Sequence, residues 1–332
     1  MTGGVTGGAT GGAAGGARAR AVVVGEALVD VVRTADGRTG EHPGGSPLNV
    51  AYGLGRLEHE VHLLTRLGDD ERGALLRAHL EAASVRLLPG AVDDRPTSVA
   101  RAEVDEQGRA SYEFELEWSV PEPRLPADVD LLHTGSIGAA VAPGADAVLD
   151  LVSGLAGTVT TSYDPNVRPA FFASPEDARR RVERFVEAAD VVKASDEDLA
   201  WLFPGVDPLR IAGQWQRRGP ALVVVTRGGE GAVAVADAGT VDVPAPRIEV
   251  VDTVGAGDAF MSGLLDALAA HGLLGGAALP ALRAVDEPVL RALVATAVRS
   301  AALTCRRAGA APPTRVELDA GELDAPAAQP AG

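Results

Sequence analysis

Lysine is almost missing: Lys193 is the only one in 332 residues. No glycine precedes it, which excludes the phosphate-binding pattern G-x-x-x-x-G-K-[ST], so any nucleotide must be held another way. Cys305 is the only cysteine. That rules out an internal disulfide or a cysteine zinc cluster and fits a reducing cytoplasm, the expected location. Positive charge is scarce too, with 30 basic against 46 acidic residues and a formal net charge of −16. Nucleic acid and anionic membrane surfaces are therefore poor partners, although a local cradle can still bind a small nucleotide. No apolar run reaches membrane-spanning length. Met1 to about Ala17 is glycine, alanine and threonine with one valine, lacks the apolar region of a secretion signal, and reads as a disordered extension. The six histidines form no H-E-x-x-H, so a zinc hydrolase has no support. What remains, at 46% hydrophobic residues, is a chain long enough for one large α/β domain or two smaller ones.

The stretch that organises the chain is Val250-Val251-Asp252-Thr253-Val254-Gly255-Ala256-Gly257-Asp258-Ala259-Phe260. Its front is short and β-branched, and Phe260, Leu264 and Leu268 then recur at helical spacing, so a strand or loop turns into a helix near Gly257. A helix start offers unpaired N–H groups and a positive dipole end, and glycines let a phosphate approach them. Asp258 falls in that first turn. A carboxylate repels phosphate, which leaves two readings: a base for an attacking hydroxyl, or an acidic residue favouring a helix start.

Elsewhere the pattern alternates strand and helix. Ala21–Gly25 is a continuous apolar run suited to a buried parallel strand. A helix opens at Ser46 or Pro47 and runs through Leu57, 61–67 reads as a strand, and 70–83 as an amphipathic helix. Segments 98–104 and 110–116 alternate with period two around Asp105-Glu106-Gln107-Gly108, a hairpin with one wet face. From Asp128 on, strands at 131–135, 158–163, 190–194 and 222–226 alternate with helical stretches near 143–155, 175–188 and 207–218, and another helix spans 291–304. This is the βαβ signature of a doubly wound, mainly parallel sheet with helices on both faces, whose ligands sit beyond the carboxyl ends of the strands. After Pro313 the chain is acidic and proline-rich with little to fold. Gly255-Ala256-Gly257 lacks the third glycine of a dinucleotide fingerprint, and Gly135-Ser136-Ile137-Gly138 lacks the leading glycine of a hydrolase elbow.

The run DTVGAGDAF is very similar to the C-terminal signature of the PfkB, or ribokinase-like, family of sugar kinases. Gly44-Gly45-Ser46-Pro47-Leu48-Asn49-Val50-Ala51, Leu57, Arg66-Leu67-Gly68-Asp69-Asp70 and Gly73 resemble that family's first signature. The likeness covers roughly Ala21 to Pro313. It is strongest to bacterial fructokinases, through Gly25-Glu26-Ala27-Leu28-Val29-Asp30, Asp164-Pro165-Asn166-Val167-Arg168-Pro169 and Ser195-Asp196-Glu197-Asp198-Leu199. The resemblance implies a kinase domain over 18–316 with a small β lid from about 31–43 and 96–118, the surface for any homodimer, and a disordered tail over 317–332. Trp118 either walls the sugar pocket or packs the lid base.

It also implies roles. Asp258 is the base, and the Gly255, Ala256 and Gly257 amides bind the transferred phosphoryl group. Asp30, Gly44, Gly45, Asn49 and Arg168 face the sugar, and Asn166, Ser195, Thr226, Gly228 and Gly231 face the nucleotide. Asp198 stands where the family has a glutamate acting through water on magnesium, and Ser195 where it has an asparagine; a helix-capping Ser195 is the rival reading. Asp252, Val254 and Gly309 resemble a monovalent-cation site for potassium. The expected activity is transfer of the γ-phosphoryl of ATP, with Mg2+, to a sugar hydroxyl, D-fructose first. A 2-keto-3-deoxygluconate kinase is the alternative in the same class, with Arg101 or Arg168 as the cation for its carboxylate. A non-catalytic sugar or nucleotide sensor is the alternative from another class.

Overall fold

A computed structural model describes residues 18–33, 39–104 and 110–320. The expected N-terminal extension, the turn at 105–108 and the tail beyond 320 lie outside these residues. The strands are β1 (Arg20–Val24), β2 (Leu28–Arg33), β3 (Thr39–Gly44), β4 (Glu60–Leu64), β5 (Leu67–Gly68), β6 (Arg86–Leu87), β7 (Val92–Asp93), β8 (Val99–Val104), β9 (Ala110–Glu115), β10 (Leu131–Gly135), β11 (Thr160–Asp164), β12 (Val191–Ser195), β13 (Leu222–Thr226), β14 (Ala232–Ala236) and β15 (Gly239–Val243). The helices are α1 (Ser46–Arg56), α2 (Glu71–Ala82), α3 (Ser136–Ala140), α4 (Gly144–Gly154), α5 (Pro175–Ala188), α6 (Asp196–Leu202), α7 (Pro208–Gln216), α8 (Ala256–Ala270), α9 (Leu279–Arg283), α10 (Glu287–Cys305) and α11 (Arg315–Asp319).

The main sheet runs β15-β14-β13-β12-β11-β10-β1-β4-β6, parallel from β13 through β6 and antiparallel at the β14 and β15 edge. Strands β1 and β10 to β13 are almost entirely buried because helices cover both faces; β1 and β13 are apolar runs, whereas β10, β11 and β12 also bury polar groups, among them His133, Ser162, Asp164 and Lys193. Two separate apolar clusters, one holding Val23, Leu63 and Leu264 and the other Val22, Tyr163 and Phe185, fill the layers between sheet and helices. From β1 the chain builds outward to β4 and then returns to lay β10 on the other flank of β1. That reversal is a topological switch point, and it opens a crevice beyond the carboxyl ends of β1 and β10.

A second sheet, β3-β2-β8-β9, forms the lid. It begins at Leu28, so Asp30 lies within the lid, opposite His42, rather than ahead of it. Leu28, Ala100, Phe114 and Phe171 make a small apolar contact under the lid, with the Phe114 and Phe171 rings 4.9 Å apart. Trp118 is buried in the main core, packs on Gly144 and donates from Nε1 to the Gly138 carbonyl at 2.9 Å, so it packs the lid base.

Helix α8 is buried on all sides from Asp258 to Ala269, the mark of a central helix. It lies between α1 and α10, where small residues permit close approach: a Cβ on Gly53 would meet Ser262 Oγ at 2.5 Å, and one on Gly263 would meet Ser300 Cβ at 2.6 Å. Among the described residues α10 is the one helix long and apolar enough to cross a membrane, and it packs instead on α8 and β15. Strands β14 and β15, which the sequence pattern does not mark, make Thr226–Gly231 the turn of a hairpin. One expectation needs correction. The chain does not end its fold at 316, because Thr314 and Glu317 form a capping box that starts α11, and Arg307 and Arg315 bind Glu317 and Asp266.

Candidate active site

The loop 250–255, with no strand in it, delivers the chain to α8. Gly255 takes φ 73°, a left-handed conformation that glycine adopts freely, and a Cβ there would lie 2.6 Å from Ala310 Cβ. The glycine therefore lets the 309–311 loop close against the helix start. Gly257 is constrained from below, since a Cβ on it would lie 3.0 Å from Lys193 Nζ. The first-turn N–H groups remain as the cradle.

Asp258 is buried at this turn, where helix α1 supplies its partners. Ser46 Oγ donates to Oδ1 at 2.6 Å, and Asn49 Nδ2 donates to Oδ2 at 2.8 Å. Burial pushes the Asp258 carboxyl above its ordinary range, while Ser46, Asn49, Lys193 and Arg168 draw it back. Asp30 shares this field: burial pushes it up to about 6, His42 and Arg168 pull it down, and the Asp258 charge pushes it up. Two carboxylates with raised proton affinity thus sense each other across the crevice between lid and main sheet.

Gly44 and Gly45 shape this wall through the backbone. A Cβ on Gly44 would sit 2.0 Å from Asp30 Oδ2, and Gly45, at φ 102°, would strike the Glu26 carbonyl at 2.7 Å. They make room for Asp30 and for the start of α1. Beyond β11, Asn166 holds a left-handed φ of 35°. Its Oδ1 accepts from Arg168 Nη1 at 2.8 Å, leaving an exposed guanidinium at the crevice mouth. Ser195 and Asp198 form a capping box: Ser195 Oγ accepts from the Asp198 amide at 2.9 Å, and Asp198 Oδ2 accepts from the Ser195 amide at 3.1 Å. Asp198 Oδ1 also accepts from the Val167 amide at 2.9 Å, tying the β11 and β12 loops together. Helix capping is therefore what the Ser195 side chain does in this structure.

Thr226 ends β13, and Gly228 follows at φ 50° with open space where its Cβ would be. Gly231, at φ 100°, is a turn requirement, because a Cβ would lie 2.1 Å from the Val243 carbonyl. Asp252 joins the two loops behind the cradle, accepting from the Val254 amide at 3.0 Å and the Gly309 amide at 2.8 Å. Those backbone N–H groups, Val254 first, hold its carboxyl below the usual range. Asp252, Val254 and Gly309 are thus brought together as expected.

The profile of the pfkB family carbohydrate kinases matches residues 18–316. The chain belongs to this family. Among its relatives, a fructokinase of Rhizobium leguminosarum bv. trifolii is 36% identical over 278 residues, 80% of this chain and 84% of the relative. A Xylella fastidiosa fructokinase solved with bound ATP superposes with a TM-score of 0.77 at 25% identity, over 90% of this chain and 96% of that one. A fructokinase variant from Vibrio cholerae, solved with fructose, ADP and potassium ion, gives 0.69 at 26% identity over 89% and 94%.

Three groups in this carbohydrate kinase escaped sequence reasoning. The sequence marks Ser46 only as a helix opener, and its bond to Asp258 spans 212 positions. Lys193 pairs with Asp164, Nζ to Oδ2 at 2.7 Å, both buried; a charged residue inside the apolar run of β12 was the available signal. Glu26 is buried just past the end of β1, its Oε2 accepting from the Gly138 amide at 2.7 Å. Burial pushes its carboxyl up to about 7.

Proposed function

We propose that this carbohydrate kinase is an ATP-dependent fructokinase. The observation that carries the reading is Asp258, buried beside the glycine cradle and held by neutral donors alone, which leaves it a free proton acceptor. Asp258 takes the proton of a sugar hydroxyl as that oxygen bonds to the γ-phosphorus of ATP. The bond from phosphorus to the bridging oxygen breaks, and ADP leaves with its electron pair. The Gly255, Ala256 and Gly257 amides receive the charge spread over the transferring phosphoryl oxygens. Asp30 and Asn49 bind sugar hydroxyls, Arg168 faces phosphate, and Thr226 with the open side of Gly228 borders the nucleotide.

Magnesium bound with the nucleotide neutralises phosphate charge. Asp198 fits an outer role through water, because each of its oxygens keeps a lone pair after accepting one amide. Asp252 with the Val254 and Gly309 loops fits a site of carbonyls around one carboxylate, suited to potassium. Relatives of 25 to 36% identity that are named fructokinases support the choice of sugar. A sugar acid is disfavoured, since Arg101 is spent on Glu115 at 3.1 and 3.2 Å. ADP release measured with fructose, ribose, 2-keto-3-deoxygluconate and adenosine tests the reading. Fructose is expected to have the highest kcat/KM by a wide margin, since a site built around particular hydroxyls rejects substrates lacking them. Another sugar ahead of fructose overturns the substrate, and binding without turnover of any overturns the kinase in favour of a sensor.

A further inference from the structure

Lys193 lies in β12 between Val192 and Ala194, fully enclosed, with its ammonium 2.7 Å from the equally buried Asp164 of neighbouring β11. Burying two charges costs several kcal/mol per ion, and well-packed apolar residues of similar volume often serve stability as well or better. Stability alone is therefore a weak reason for the pair. Its orientation is specific. A Cβ on Gly257 would lie 3.0 Å from the ammonium, so the positive end of the pair sits against the first turn of α8.

We propose that the buried Lys193–Asp164 pair is a positioning device for phosphoryl transfer, a fixed dipole whose ammonium end backs Gly257 and sets the field at Asp258 and the glycine cradle. Lys193 touches no substrate in this role and acts through α8. Its charge adds to that of the helix N-terminus, in a site where low dielectric magnifies both. It also bears on Gly257: a Cβ there would press on the ammonium, which would have to give way. The charged groups that bear on Asp258 are Lys193 on β12, Asp164 at the end of β11, Arg168 just after it and Asp30 on the lid, with neutral Ser46 and Asn49 on α1. Of these, Lys193 and Arg168 favour the ionised carboxylate. The catalytic meaning of the pair rests on the kinase reading above, while its first readout does not.

That readout is the titration of Asp258 in the full chain without ligands, followed by carbon-13 carboxyl NMR and assigned by the signal lost in Asp258→Asn. In Lys193→Met, which keeps the apolar stem, the Asp258 titration is expected to move up by about half a pH unit or more. The kcat for fructose should fall on the order of tenfold, less than loss of a direct donor to the transition state, with KM for ATP within about threefold. Lys193→Arg should return the titration toward wild type. If Lys193→Met leaves Asp164 too costly to bury, Lys193→Met/Asp164→Asn replaces both charges and should shift Asp258 in the same direction by less, because losing the Asp164 charge, which repels that of Asp258, offsets part of the loss of the ammonium. An unmoved titration in the folded variants, or a moved one with kcat within about twofold of wild type, overturns the proposal. Should the wild-type protein phosphorylate none of the sugars, the kinase reading falls, and the titration alone decides whether Lys193 sets the field at Asp258.

Discussion

Helix α8 carries two buried aspartates with opposite surroundings. Asp258 in its first turn accepts only from neutral Ser46 and Asn49, and burial leaves its proton affinity raised. Asp266, two turns on, also pays for burial, yet hydrogen bonds from His59 and Arg315 hold its carboxyl below the usual range. His59 Nδ1 accepts from the Ala19 amide, which leaves Nε2, 2.8 Å from Asp266 Oδ1, as the donor, and Arg315 adds a guanidinium. The same residue type on one helix is thus a carboxylate met only by neutral donors, suited to the proposed base, at one end and an ion-paired strut at the other. What separates them is whether a cation satisfies the carboxylate directly.

The largest expected effect is on Asp258. Asp258→Asn is nearly isosteric, keeps the helix start and removes the proton acceptor, so kcat should drop on the order of a hundredfold or more. Stability should move the other way. A raised folded pKa means that the ionised carboxylate disfavours the fold, a cost absent in acid, appearing as pH rises past the unfolded value and complete above the folded one. Melting curves should therefore show Asp258→Asn gaining on wild type between acid and neutral pH. Near-normal turnover in this variant would remove Asp258 from the base's role.

At the other end the trade reverses. Asp266→Ala strips the buried partner from His59 and from Arg315, and should destabilise by about 3 kcal/mol or more, as broken buried pairs do. Because the Asp266 pKa is depressed, its stabilisation is present above the unfolded value and is lost as pH falls through the folded one, so the deficit should shrink in acid. Turnover per folded molecule should stay within about twofold. A variant that kept its melting temperature but lost activity would erase the distinction between the two aspartates.

Much of this helix was written in the sequence and its partners were not. Gly255, Gly257 and Asp258 stand in one run whose chemistry is local, and β1 and β13 announce themselves as continuous apolar runs because strands buried on both faces favour them. The pairings that decide what each carboxylate does are long-range. Ser46 reaches Asp258 across 212 positions, Arg315 reaches Asp266 across 49, and Lys193 meets Asp164 only because β11 and β12 are neighbours. Helix α11 went unseen for the same reason: its short, acidic sequence has little propensity of its own, and ion pairs to Asp266 and Arg307 hold it. Strands β14 and β15, alanine-rich or exposed along one face, follow from pairing with β13 rather than from their own pattern.

The smallest expected effect tests whether the Asp258 end relies on something from solution. Its cradle is set by two loops, 250–255 and 306–311, which meet at Asp252 through the Val254 and Gly309 amides. Asp252 is partly exposed and accepts from backbone N–H groups, with no cationic side chain paired to it among the described residues, so its charge is available to an ion. The Asp266 end has Arg315 in that place and needs no ion. Replacing choline by potassium at constant ionic strength should therefore raise kcat by a few-fold, because the ion orders the loops that aim the Gly255–Gly257 amides. Asp252→Asn should lose most of that response while keeping the amide contacts that an asparagine oxygen can still accept. The melting-temperature loss of Asp266→Ala should be the same in either salt, since its pairing lies at the far end of α8. A rate unchanged by the exchange would remove the cation from the account and leave the loops ordered by Asp252 alone.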